Sequence, residues 1–123
     1  MGVSIYYSAS RDRPLSKAEH DAVQWQVDRF LLDTLIRECG IPEPEFTGEG
    51  FCVYSPPLEP GVVFEGSTKL PGNSEEAMWI AIQHWCKLLT ELRGVLQDAD
   101  WHVHVDDHDI VWNEKLQIYD PAS

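Results

Sequence analysis

The chain has 123 residues, with 21 Asp and Glu against nine Lys and Arg, for a formal charge of −12. That length suits one domain with a single core, and 43% hydrophobic residues with five tryptophans are enough to fill it, which excludes a disordered chain. The acidity excludes nucleic acid and anionic membrane as partners, because both are held chiefly by Lys and Arg, and it favours a basic protein partner.

Residues 3–9 alternate Val3, Ile5 and Tyr7 against Ser4, Tyr6 and Ser8, which predicts a first strand. Ser16 and Glu19 have capping-box spacing and predict a helix running to Cys39, where Gly40 and Pro42 supply a stop. On that helix Val23, Val27, Phe30, Leu31 and Thr34 form one stripe, expected to face the sheet. Trp25, Leu32 and Ile36 form a second stripe on nearly the opposite side, expected as an exposed patch for a partner.

Residues 51–55 and 62–65 are short β-type runs, separated by a stiff segment containing Pro56, Pro57 and Pro60. Asn73 with Glu76 predicts the cap of a second helix. Ala81, Trp85, Leu88 and Leu92 form its core stripe, with Cys86 on the side away from it. His84 borders the apolar face, and His20 belongs to the solvated first turn of helix one. Two last strands, 101–106 and 110–119, are joined by the polar turn Asp106-Asp107-His108-Asp109.

The order is β-α-β-β-α-β-β. This predicts an α+β fold with two helices packed on one face of an antiparallel sheet, ferredoxin-like with an extra C-terminal strand, in a single domain spanning 1–123. Three cysteines, Cys39, Cys52 and Cys86, without a CxxC spacing argue against a disulfide framework and predict inert thiols in a reducing compartment. No signal-peptide pattern and no membrane-length apolar run is visible, so a cytoplasmic location is expected.

The chemistry-bearing residues concentrate in the last third. His102 and His104 alternate with Trp101, Val103 and Val105, so the two imidazoles share one face of a strand about 7 Å apart. With His108 they could seat a metal ion. The string His102-Val103-His104-Val105-Asp106-Asp107-His108 is similar to the His-x-His-x-Asp-His signature of metallo-β-lactamase-fold hydrolases. One additional aspartate breaks its register, and the chain is too short for that fold, so the resemblance is set aside. No phosphate loop, nucleophile elbow or carboxylate pair is present, and no cofactor is implied.

Acidic residues mark two stretches without Lys or Arg, 38–68 and 94–114. Asp106, Asp107 and Asp109 at the terminal turn, Glu43, Glu45, Glu49 and Glu59 in the long loop, and Trp25 are the expected partner contacts. Small, acidic and expected in the cytoplasm, the chain resembles in general profile the bacterial immunity proteins, which block a cognate toxin by covering its basic active site. The resemblance implies a non-enzymatic toxin inhibitor. A metal-dependent enzyme using His102, His104 and His108 is the first alternative. A homodimeric, small-molecule-binding regulatory domain is the second.

Overall fold

The computed structural model describes residues 2–122. Strand β1 (Ser4–Ser10) alternates as its sequence requires, with Ile5, Tyr7 and Ala9 buried and Tyr6 exposed. It occupies the centre of a sheet, antiparallel to β3 (Val62–Lys69) on one side and to β4 (Asp100–Val105) on the other. A two-residue β2 (Cys52–Val53) joins the outer edge of β3, and an equally short β5 (His108–Asp109) joins that of β4. The order β2-β3-β1-β4-β5, with one helical region after β1 and another after β3, is the expected split βαβ, ferredoxin-like arrangement, but its added edge strand is β5, formed by residues expected in the turn rather than by 110–119.

The first helical region starts where expected. Ser16 Oγ accepts from the Glu19 amide at 3.1 Å, and the Glu19 carboxylate accepts from the Ser16 amide at 2.9 Å, opening α1 (Lys17–Arg29). It does not run unbroken to Cys39. Phe30 and Leu31 leave helical geometry, and α2 (Leu32–Cys39) begins afresh before ending on Gly40 at φ 68°. The break has a packing cause. A straight helix would send its two apolar stripes in opposite directions, but the bend turns the second stripe inward as well. Val23 from α1 and Leu35 and Ile36 from α2 are all buried, while Leu31 at the elbow is 55% exposed. The expected surface patch of Trp25, Leu32 and Ile36 is therefore corrected. Ile36 is interior, Leu32 packs on the core, and only Trp25 stands free of it.

The second helix, α3 (Glu75–Val95), buries Ala81, Trp85, Leu88 and Leu92 completely, as the stripe predicts. Its cap is Ser74, whose hydroxyl accepts from the Ala77 amide at 3.0 Å. Asn73, the expected cap, is used differently. Its carboxamide accepts from the Thr47 amide and donates to the Glu45 carbonyl, pinning the 43–49 loop to the start of α3.

Residues 110–119 do not form one strand. After β5 the chain makes β6 (Val111–Asn113) and β7 (Ile118–Asp120), a separate two-stranded hairpin. The hairpin folds back on α3, where Thr90 Oγ1 accepts from the Tyr119 amide at 3.1 Å and Arg93 donates to the buried Tyr119 hydroxyl at 3.0 Å. This explains a second correction. Cys86 lies off the sheet-facing stripe yet is only 2% exposed, because the hairpin side of α3 is covered as well. Burial pushes its thiol up to about 12 and raises that of Cys39, so neither is a ready thiolate.

Arg11 closes the far end of the layers. Its guanidinium grips Glu19 of α1 with two bonds of 2.5 and 2.9 Å, and Asp98 of the α3–β4 connection with one of 2.9 Å. This holds the Glu19 carboxyl down to about 2. Among the described residues, no helix is long and apolar enough to cross a membrane.

Candidate functional site: the open face of the sheet

The core to which α1, α2 and α3 contribute Val23, Leu35 and Trp85 lies on the sheet face that carries Ile5, Tyr7, Phe64 and Val103. The opposite face takes the other phase of each strand. Its register forms two rows running across the strands. Ser67, Tyr6, His104 and Asp109 are successive neighbours in one row, and Glu65, Ser8 and His102 in the next. Side chains directly opposite one another on antiparallel strands touch, so these rows are physical contacts between residues far apart in sequence.

The rows are locked by specific interactions. The Tyr6 ring stacks on His104 at 5.1 Å between centroids and 17° between planes, and His104 stacks in turn on His102 at 4.7 Å. His102 Nε2–H donates to Asp109 Oδ1 at 2.9 Å, which holds the Asp109 carboxyl below the usual carboxylate range. His104 Nδ1–H donates to the Asp106 carbonyl at 2.5 Å. Asp106 itself sits at φ 51°, a left-handed turn position that aspartate tolerates. At the β2 side, the Tyr54 hydroxyl and Ser67 Oγ lie 2.7 Å apart. Between the aromatic rings lies a concavity of about 120 Å³, lined by Tyr6, Ser8, Tyr54, Glu65, His102 and His104.

The histidine trio does not converge. His104 pairs with Asp109 and Val105 with His108, so His108 takes the phase of Val103 and Val105 rather than that of His102 and His104. Each imidazole on the open face already gives a nitrogen to a protein oxygen. Among the described residues, no group of three His, Cys, Asp or Glu side chains is arranged to hold a metal ion.

The expected partner contacts are distributed over several regions. Asp106, Asp107 and Asp109 lie at the β4–β5 corner of the open face, all exposed. Glu43 and Glu45 lie in the 3-10 turn after α2, and Glu49 is anchored by its amide to the Lys69 carbonyl at the end of β3. Glu59 precedes the start of β3, roughly 25 Å away by strand rise. Trp25 belongs to the helical layer, 60% exposed, with the Arg29 guanidinium 4.7 Å from its ring centre. Tyr6, Ser8, Tyr54 and Glu65 escaped the sequence reading, although the exposed phase of Tyr6 in an otherwise buried strand was a usable signal. No protein-family model, curated protein or solved structure matches the chain.

Proposed function

We propose that this chain is a non-enzymatic, acidic protein-binding domain that acts in the cytoplasm. Its most concrete form is an immunity protein that neutralises a basic bacterial toxin by covering its active site. The observation that carries the reading is the open sheet face. An uncovered antiparallel face holds a stacked Tyr6–His104–His102 array, and the carboxylates Glu65, Asp100 and Asp109 share its strand phase. Lys69 is the one Lys or Arg within the described strands. Ordered aromatic rings inside a ring of negative charge suit a cationic protein surface: the rings supply contact area at low entropic cost, and the charges steer the encounter. Asp106 and Asp107 extend that charge at the corner.

The reading is tested by capture of the product of the neighbouring gene, followed by calorimetric titration. Replacing Asp106, Asp107 and Asp109 together by Asn is expected to weaken binding and flatten its salt dependence. The loss reaches about 2–5 kcal/mol if these carboxylates are buried against Arg or Lys. Unchanged affinity at every salt concentration overturns the assignment to this face. A stable homodimer that occludes the face, seen as a doubled mass in solution, overturns the reading in favour of self-association.

A further inference from the structure

The concavity on the open face has a composition that selects one kind of ligand group. We infer that it seats the guanidinium of an arginine side chain presented by the partner, an inference that rests on the protein-binding reading and names the group it recognises. Three observations converge on it.

First, its rings are held in place. Tyr6 is stacked on His104, and Tyr54 is tied through its hydroxyl to Ser67, so both present rings without having to be ordered on binding. Second, Glu65 lines the same concavity, and its carboxylate has no hydrogen-bond or ion-pair partner among the described residues. The Glu65 backbone is fixed on both sides, by pairing with Ser8 and by its carbonyl accepting from the Tyr54 amide at 2.8 Å. Third, the other side chains around it supply the Ser8 hydroxyl and the ring surfaces of His102 and His104, and the Asp109 carboxylate lies 2.9 Å behind His102.

An anion is disfavoured there by Glu65 and Asp109. A bare metal ion lacks a third convergent ligand among the described residues. A planar cation satisfies every wall at once, because it stacks on an aromatic face while its edge N–H groups reach a carboxylate. An ammonium makes the charge contact but cannot stack, so arginine is preferred over lysine.

The probe is N-acetyl-arginine amide, titrated into the 15N-labelled full chain, with N-acetyl-lysine amide as the equal-charge control. Saturable shifts are expected at the amides of Tyr6, Ser8, Tyr54, Glu65 and His102, with smaller ones for the lysine probe. Glu65→Gln is expected to weaken the arginine probe about five-fold or more, and Tyr6→Leu to weaken it as well. Asp12→Asn, an equal charge change beyond the end of β1, should leave it unaltered. Shifts spread over the acidic surface, equal response to lysine, or indifference to Glu65→Gln each overturn the notch.

Failure of the two readings is separable. A basic protein that binds the wild type and Glu65→Gln alike overturns the arginine site and leaves the protein-binding reading standing. Saturable arginine binding with no captured partner has the opposite consequence.

Discussion

Gly66 faces Tyr7 directly across the β1–β3 ladder, and the Tyr7 ring lies over it to reach the edge strand beyond. The Tyr7 hydroxyl donates to the Cys52 carbonyl at 2.6 Å, accepts from the Cys52 amide at 3.2 Å and lies 2.9 Å from Thr68 Oγ1. A Cβ on Gly66 would stand 2.0 Å from the Cys52 carbonyl oxygen and 2.5 Å from Tyr7 Cε2. The first of these atoms is backbone, so no rotamer change relieves it, and β2 must move outward. That movement breaks both Tyr7–Cys52 bonds and the 2.8 Å bond from the Tyr54 amide to Glu65. At about 0.5–1.5 kcal/mol per bond, offset by about 0.5 kcal/mol of reduced chain entropy in the unfolded state, Gly66→Ala should cost about 1–4 kcal/mol. Urea denaturation gives the total, and native-state hydrogen exchange at the Tyr54 amide localises it. Tyr7→Phe, which removes the hydroxyl without adding bulk, should expose the same amide. A loss under about 0.5 kcal/mol with Tyr54 still protected would refute the close approach of β2.

Other consequences follow from burial. Trp85→Ala should lose about 3–5 kcal/mol on chemical denaturation, nearer the lower value because its buried indole N–H has no hydrogen-bond partner among the described residues to forfeit. His84 is 7% exposed, edge-on to Phe30 and Trp85, with Glu38 3.9 Å away from α2 and Lys87 on its own helix. Burial lowers its pKa against the opposing pull of Glu38, so its contribution to stability is full above the ordinary histidine range and declines as pH falls below it. His84→Leu should therefore flatten the fall in urea midpoint between about pH 7 and 5 relative to wild type. Thiol labelling of the native protein should modify exposed Cys52 first and reach Cys86 only on unfolding; early modification of Cys86 would mean that the β6–β7 hairpin opens.

The parts of the fold written in local pattern were legible. The period-two phase of β1 and β4 and the single stripe of α3 each place their core residues correctly from spacing alone, and element order yields the split βαβ sheet. The break at Phe30 and Leu31 was not legible, because no Gly or Pro marks it; it exists to bring Leu35 and Ile36 onto a core that only the folded layers define. The hairpin after Ile110 was hidden for the same kind of reason, since its anchor is Thr90, 29 residues away from Tyr119 in the chain. The site divides likewise. His102 and His104 declared their shared face, but Tyr6, Ser8 and Glu65 join them only through the central position of β1 between β3 and β4. Register between distant strands carries no local signature.

The two rims of the sheet limit how another chain can approach it. An unpaired strand edge normally offers a row of amides and carbonyls on which a foreign strand can grow. Here β2 is two residues long and is soon followed by Pro56 and Pro57, which have no N–H to offer. At the other rim β5 is equally short, carries His108 and Asp109, and is followed by Ile110, whose amide turns back to the Val103 carbonyl at 2.9 Å. Each outermost strand is two residues long and offers a foreign strand little to pair with. The sheet thus separates a broad aromatic face from blunt outermost strands, so that an approaching chain finds side chains to meet on the face and few free backbone groups along the outermost strands.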